Sequence, residues 1–301
     1  MIVTRLNFPQ MYSQVAEALH NSLFVAVDLE FTGLHLDPTL QNTHLDTSLH
    51  RYLKMRESIS AFCPLQAGLC TFQLREGYVE AKPFSFVLYP VPVADLDRVY
   101  SFQSSSLAFL SGHEFDFNAT FREGLGFLNR AEHTSVMRKA KEKEAQAYLQ
   151  HGVTHEMRAY FAMCKAALSK WNGEEPLLVD ARFMKRAVID YTTRELERSG
   201  QVLCEVLRDK DGFQENLKVV KGKRPQPQQV LRGFAELVEH MKGKPLLGHN
   251  MLMDALHFYD KFINPLPPTL SYFARAFHEE FPVVLDTKYM LQASSVLRSF
   301  V

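Results

Sequence analysis

The stretch "LFVAVDLEFTGL", residues 23–34, decides the fold, because it places two acids inside a strand-like apolar run. Successive side chains of a strand point to opposite faces, so residues two apart share a face. One face is apolar throughout and consists of Leu23, Val25, Val27, Leu29 and Phe31. The other face consists of Phe24, Ala26, Asp28 and Glu30. The period therefore predicts a buried strand that carries two neighbouring carboxylates near its end.

The pair Asp28 and Glu30 needs a partner of opposite charge. Two unpaired carboxylates this close repel each other, and the pKa of one of them rises. A divalent cation removes the repulsion, and hard oxygen ligands select Mg²⁺ or Mn²⁺ over softer metals. A Lys or Arg from elsewhere in the chain would also neutralise the pair. The motif alone leaves both explanations open.

The composition is ordinary for a soluble globular protein. The chain has 301 residues, of which 46% are hydrophobic and 23% charged, and its formal net charge is zero. One large domain or two modest ones are expected from this length. Zero net charge argues against binding of nucleic acid over a broad positive surface. It is compatible with binding in a locally basic groove.

The cysteines and the apolar runs point to an intracellular protein of the nucleus or cytoplasm. The four cysteines have no metal-ligand spacing and are interpreted as reduced thiols: Cys63, Cys70, Cys164 and Cys204. No apolar run approaches the ~18 residues that a membrane span needs. The N-terminus "MIVTRLNFPQ" lacks the apolar core of a signal peptide.

Two further strands are predicted to pair with the acidic strand. The segments "LQAGLCTFQL" (65–74) and "FSFVLYPV" (84–91) have strand character, and the turn-prone "REGYVEAKP" lies between them. Three strands with no intervening long helix indicate an antiparallel meander. Helical spacing in "FPQMYSQVAEALHNS" predicts a helix just before the acidic strand.

A change in the pattern of residues along the sequence divides the chain into three parts. Residues 1–150 and 225–301 are predicted to form one domain, and residues 151–224 a small α+β insert within it. The insert ends at the basic, proline-rich "KGKRPQPQQ" (221–229), which has the character of a linker.

A third carboxylate follows the insert. The short strand "PLLG" passes into a predicted helix that opens near Asn250, and Asp254 lies four residues later on the same helical face. Asp254 is therefore expected to point back toward the acidic strand. His249 and Asn250 lie at the strand-to-helix turn with spare hydrogen-bonding groups.

These segments together resemble the poly(A)-specific ribonuclease (PARN) family of DEDD 3′→5′ exonucleases. "DLEFTGL" resembles the first motif of that family, and the other matching segments follow in the order of the family: "LQAGLCTF", "SFQSSSLAFL", "FDFNATFREGLGFLN", "PLLGHNMLMDALHFYDKFINPLP" and "FPVVLDTK". The segments "RYLKMRES", "SFQSSS" and "FPVVLDTK" lean toward the branch that trims the 3′ ends of piRNA precursors. Deadenylase relatives share most of these segments, so both branches stay open.

The resemblance implies an α/β, RNase H-like fold in which helices flank a mixed sheet. It assigns metal binding and catalysis to Asp28, Glu30 and Asp254, with Mg²⁺ or Mn²⁺ as the cofactor. It also implies RNA as the partner, a possible homodimer, and substrate contacts from Phe31, His249 and Asn250. The insert lies where relatives carry a small RNA-binding domain, but its Arg-x-x-x-His signature is absent from residues 151–224.

One motif of the family is missing from the printed sequence. The resemblance places a fourth acid and a general-base histidine on a later helix as H-x-x-x-x-D, which residues 286–301 do not contain. We therefore expect a chain that is truncated before the last motif. Two functions stay open: a 3′→5′ exoribonuclease that uses two metal ions, and an inactive RNA-binding relative.

Overall fold

The computed structural model describes residues 1–93, 95–198, 200–222 and 232–293, with no side-chain description for 143–151. Most of the predicted linker "KGKRPQPQQ" therefore lies outside the described residues, as does the tail from residue 294.

The chain divides into two compact units. One unit comprises Met1–Met137 and Gln228–Val301, and the other comprises Arg138–Pro227. The first division thus falls inside a long helix, before the boundary that the sequence predicted after residue 150. No helix in the described part is long and apolar enough to cross a membrane.

The elements are numbered in chain order. The strands are β1 (Ile2–Val3), β2 (Phe24–Phe31), β3 (Pro64–Arg75), β4 (Tyr78–Val87), β5 (Leu177–Asp180), β6 (Val202–Arg208), β7 (Gln214–Lys221), β8 (Leu246–Gly248) and β9 (Val284–Asp286). The α-helices are α1 (Phe8–Asn21), α2 (Ser48–Ala61), α3 (Ser104–Gly112), α4 (Phe117–Glu123), α5 (Arg130–His151), α6 (His155–Ser169), α7 (Arg186–Glu197), α8 (Phe234–Glu239), α9 (Leu252–Phe258), α10 (Leu270–Glu280) and α11 (Thr287–Ala293).

Six described strands form the sheet of the first unit, in the order β1-β4-β3-β2-β8-β9. The strands β2, β3 and β4 pair antiparallel, which is the predicted meander. The strands β8 and β9 extend the sheet in parallel on the β2 side. A meander extended by parallel strands is the mixed, RNase H-like sheet that the resemblance implied, and the predicted fold class is confirmed.

The core lies on one face of β2, as the two-residue period predicted. Val25, Val27 and Leu29 are buried, whereas Asp28 on the opposite face is exposed. Two members of the predicted apolar face depart from it. Leu23 precedes the strand and is 52% exposed. Phe31 follows a shift of register between Glu30 and Phe31, and such a bulge re-aims the next side chain.

The segment "REGYVEAKP" is mostly strand rather than the predicted turn. The β3–β4 ladder runs continuously to the pair Arg75 and Tyr78, so only Glu76 and Gly77 form the turn. Gly77 has φ 82°, and the short hairpin turn requires this left-handed conformation. Because glycine supplies it without strain, β4 begins six residues before the predicted strand at Phe84.

The second unit has a sheet and a core of its own. Its sheet has the order β5-β7-β6 in the described residues, and α6 and α7 pack together beside their own buried cluster. This unit therefore contains both helices and strands. The predicted helix over 181–197 begins only at Arg186. The strand β5 was not predicted, because its four residues are too few for a period to stand out.

Gly233 provides a test of the packing in the first unit, to which it belongs. It has φ 51°, and a Cβ there would lie 1.9 Å from the carbonyl oxygen of Gly126. We expect Gly233→Ala to lower the free energy of unfolding by at least about 2 kcal/mol, because it combines left-handed strain with a backbone clash. Gly112→Ala is the matched control, since no atom lies within 4 Å of its added Cβ. Urea denaturation that shows equal stability for both variants would contradict the packing described.

Candidate active site

The third carboxylate reaches the acidic strand through one hydrogen bond. The backbone N–H of Leu29 donates to Asp254 Oδ1 over 3.0 Å. The strand β8 pairs with β2 only at Val25 and Ala26, so it ends before it reaches Leu29. Asp254, near the start of α9, therefore accepts from a strand N–H that lies beyond the end of β8. This contact brings Asp254 to the segment of β2 that carries Asp28 and Glu30.

The electrostatics show that the three carboxyl groups influence one another. Burial, and then the charge of Asp28, raise the pKa of Asp254 to about 6, and Glu30 adds a smaller effect in the same direction. The hydrogen bond from Leu29 opposes this rise. Burial followed by the charge of Asp28 also raises the pKa of Glu30, while His113 lowers it. The site therefore concentrates negative charge with no Lys or Arg among these causes.

All the residues predicted for the site line one cleft. It has a volume of about 530 Å³ and is lined by Asp28, Glu30, Phe31, His249, Asn250 and Asp254. Seven further residues line it that the sequence did not mark as part of the site: Leu29, Leu34, Ser105, Ser106, Phe109, Leu110 and Met253. Leu34 follows the acidic motif directly, and Phe109 is a large apolar side chain that is 58% exposed. No feature of the sequence marked Phe109 as exposed, because its helix α3 is apolar on several sides.

The donor chemistry of the cleft suits a hard divalent cation. Carboxylate oxygens are the ligands that Mg²⁺ and Mn²⁺ prefer, and mutual repulsion among unpaired carboxylates favours a cation. However, no group of three or more His, Cys, Asp or Glu side chains in the described residues is arranged so that it could hold a metal ion. The residues that would hold one are Asp28, Glu30 and Asp254, and their role as ligands stays a prediction.

Phe31 has one ring face covered. Its ring stacks on His257 with centroids 4.1 Å apart and an interplanar angle of 22°. His257 is completely buried, and neither ring nitrogen has a hydrogen-bond partner among the described residues. Burial lowers the pKa of His257 well below its usual value, so the imidazole is neutral. Any base that stacks on Phe31 must therefore use the remaining part of its ring.

Asn250 is not on the helix that carries Asp254, contrary to the prediction. The helix α9 begins at Leu252, and Asn250 precedes it with φ 55°. The chain must turn sharply between β8 and α9, and asparagine tolerates the left-handed conformation better than most residues. His249, on the same turn, has its Nδ1 2.9 Å from Thr287 Oγ1.

The raised pKa of Asp254 predicts a pH-dependent stability in protein kept free of metal by a chelator. Between pH 3.8, the ordinary pKa of an aspartate, and the raised pKa of about 6, folded Asp254 holds a proton that the unfolded chain has lost, so stability falls as the pH rises. We expect Asp254→Asn, which keeps an acceptor for Leu29, to raise the free energy of unfolding at pH 8 by up to about 3 kcal/mol. The gain should vanish below pH 4, as measured by urea denaturation in chelator.

Asp37→Asn is the control for this experiment. Hydrogen bonds from Thr39 lower the pKa of the exposed Asp37, so removal of its charge should not stabilise the protein. A D254N variant that is less stable than the wild-type protein at pH 8 would contradict the electrostatic account.

Two ribonucleases of known name are similar to almost the whole chain. The pre-piRNA 3′-exonuclease trimmer of Bombyx mori is 27% identical over 330 residues, which cover 100% of this chain and 59% of the relative. The poly(A)-specific ribonuclease PARN of Danio rerio is 30% identical over 340 residues, which cover 96% of this chain and 49% of the relative. The chain thus spans about half the length of the curated relatives that it matches.

A solved structure of S. pombe Pop2p in a Mg²⁺- and Mn²⁺-bound form also aligns with the chain. The alignment covers 98% of this chain and 76% of that one, with 14% identity and a TM-score of 0.48. The family profile described as CAF1 family ribonuclease matches residues 3–300. Because that match takes in both units and the whole acidic cleft, this chain belongs to the CAF1 family of ribonucleases.

Proposed function

We propose that this protein is a 3′→5′ exoribonuclease that removes terminal nucleotides from RNA by two-metal hydrolysis. The observation that carries the proposal is the meeting of Asp28, Glu30 and Asp254 in one cleft of a CAF1 family chain. Mg²⁺ or Mn²⁺ is the cofactor that suits their oxygen atoms. The similarity to a 3′-exonuclease and to a poly(A)-specific ribonuclease supports the same reaction class.

The three carboxylates of the cleft differ in their surroundings. Asp28, Glu30 and Asp254 would hold the metal ions, which would activate the attacking water and stabilise the leaving oxygen when bound. Asp28 is exposed at the cleft and is open to solvent and substrate, whereas Asp254 is held against β2 by the Leu29 N–H. Glu30 lies between the cleft and the region of His113, whose charge lowers its pKa. Such a cluster holds cations and repels RNA without them, so activity requires metal.

The walls of the cleft suit the terminal nucleotides. Phe31, Leu34 and Phe109 offer apolar surface for bases, and base stacking on aromatic rings is tolerant of sequence. His249 and Asn250 offer polar groups to the sugar and phosphate. The hydroxyl groups of Ser105 and Ser106 line the same cleft.

The second unit is proposed to contribute to RNA binding through its charge. Residues 138–227 contain 18 Lys and Arg and 13 Asp and Glu, whereas the whole chain has 34 of each. The excess of positive charge therefore lies in this unit and is balanced by negative charge in the unit with the cleft. A locally basic surface attracts the phosphate backbone even in a protein whose net charge is zero.

One observation favours a second candidate function, RNA binding without cleavage. The carboxylates share a cleft, yet no metal-holding arrangement is present in the described residues. An RNA-binding relative that has lost catalysis would show the same cleft. The two functions differ in whether divalent cations bind at Asp28, Glu30 and Asp254.

Metal-dependent trimming is the test. We expect the protein to release mononucleotides from the 3′ end of labelled oligo(A) or of a mixed-sequence RNA in Mg²⁺ or Mn²⁺, and the faster substrate identifies the class of RNA. Asp28→Asn should reduce the rate at least about 100-fold, because it removes a charged ligand for the ions. A chelator should stop the reaction, and a 3′-blocked RNA should resist it.

The controls separate catalysis from binding. Asp37→Asn changes an exposed acid outside the lining of the cleft and should leave the rate unchanged. Binding of a 3′-labelled RNA with no trimming in either metal, and no effect of Asp28→Asn, would favour the non-catalytic function. Trimming that survives Asp28→Asn would sink the assignment of the site.

A further inference from the structure

Two turns beside the cleft are joined by several side-chain hydrogen bonds. One is the β8–α9 turn, Gly248–Met251, which leads to Asp254, and the other is the β9–α11 turn, Asp286–Lys288. Asp286 Oδ1 accepts from the N–H of Asn250 over 3.0 Å. Asp286 Oδ2 accepts from the N–H of Met251, also over 3.0 Å. A single carboxylate thus holds both backbone N–H groups that precede α9.

The same carboxylate caps its own helix. Asp286 Oδ1 accepts from the N–H groups of Lys288 and Tyr289 in the first turn of α11, over 2.9 and 3.4 Å. Asp286 is therefore shared between the N-termini of two helices, where negative charge is stabilising. Partial burial alone would raise the pKa of Asp286, but the backbone hydrogen bonds that it accepts, first those from Asn250 and Met251, together outweigh burial and lower the pKa.

Two other side chains join the same turns. Thr287 Oγ1 lies 2.9 Å from His249 Nδ1 and donates to the Gly248 carbonyl over 3.2 Å. Lys288 Nζ donates to Asn250 Oδ1 over 3.3 Å. Asn250 itself has a left-handed backbone, with φ 55°. A non-glycine residue keeps this conformation only where its surroundings determine it, and these contacts do so.

We infer that Asp286 is a positioning residue that orients Asp254 through the backbone of the β8–α9 turn. Asp254 lies three residues after Met251, within the first turn of the helix whose entry Asp286 holds. The direction of α9 decides whether the Asp254 carboxylate meets the Leu29 N–H. Asp286 does not line the cleft, so it acts through the turn rather than on substrate. The positioning role of Asp286 does not depend on the proposed function. Only its expected effect on the affinity of the site for metal rests on that function.

The test compares three variants with the wild-type protein. Asp286→Ser keeps a side chain that can cap α11 but is too short to reach the β8–α9 turn. Asp286→Asn keeps one acceptor oxygen for Asn250 and loses the one for Met251. Asp37→Ser is the matched control, because Asp37 caps the short helical turn Pro38–Leu40 and contacts neither turn of the pair.

The first readout is hydrogen exchange of the Leu29 amide, which reports the bond to Asp254 directly. We expect exchange at Leu29 to accelerate at least about tenfold in Asp286→Ser, relative to the buried Leu69 amide of β3 as an internal reference. The exchange rate of the Leu29 amide in Asp286→Asn should lie between the rates in Asp286→Ser and in the wild-type protein. The rate in Asp37→Ser should equal that of the wild-type protein. Unchanged Leu29 exchange in Asp286→Ser would overturn the inference, since a merely local cap would leave Leu29 unaffected.

The second readout is the binding of Mn²⁺ measured by calorimetry. Substitution of residues that orient metal ligands typically weakens affinity by roughly 10- to 100-fold, and we expect this range for Asp286→Ser. Unaltered Mn²⁺ affinity in a variant with accelerated Leu29 exchange would overturn the link from Asp286 to the metal site. A wild-type protein that binds no Mn²⁺ would instead refute the proposed function, while Leu29 exchange would still decide the role of Asp286.

Discussion

The hydrogen bond from the Leu29 N–H to Asp254 Oδ1 is the contact on which the candidate site depends. It joins a strand near the start of the chain to a helix more than two hundred residues later. The bond forms because β8 is short and stops pairing with β2 at Ala26. A longer β8 would occupy the Leu29 N–H, and Asp254 would lose its place beside Asp28 and Glu30. The length of one edge-adjacent strand thus determines whether three carboxylates meet.

This arrangement is unfavourable for the folded protein by itself. The pKa of Asp254 rises to about 6 and that of Glu30 also rises, because burial and neighbouring negative charge disfavour ionisation. A structural ion pair would have the opposite effect, as Glu239 shows where hydrogen bonds from Arg130 and Arg232 outweigh burial and lower its pKa to about 2. The raised pKa values of Glu30 and Asp254 therefore indicate carboxylates whose mutual repulsion a bound cation can reduce. The lowered pKa of Glu239 indicates a carboxylate whose charge is already neutralised by arginine. Among the described residues, no Lys or Arg contributes to the pKa shifts of Glu30 and Asp254, which favours a cation over an internal ion pair at the acidic strand.

The sequence predicted the parts of the fold that follow a simple period. The alternation in residues 23–34 identified the buried face and placed Asp28 and Glu30 together, and the order of strands gave the meander. Asp254 has no signal of its own as one acid on a helix; its place four residues after Asn250, together with the acidic strand and the meander, indicated it, and the family resemblance then assigned it to the site. The bulge that turns Phe31, the left-handed Asn250 and the exposed Phe109 were not predictable, because each depends on contacts between distant segments. The two-residue turn at Gly77 was a local signal that the reading of "REGYVEAKP" as one long turn overlooked.

A crystal of the protein grown with Mn²⁺ tests the central claim most directly, through an anomalous difference map that locates the ion without reference to activity. Our account predicts a peak bounded by carboxylate oxygens of Asp28, Glu30 and Asp254, at metal–oxygen distances of about 2.1 Å. Small rotations of these three side chains should accompany it, with the Leu29 bond to Asp254 retained. A map that shows no Mn²⁺ in the cleft, or Mn²⁺ bound only elsewhere on the protein, would contradict the account.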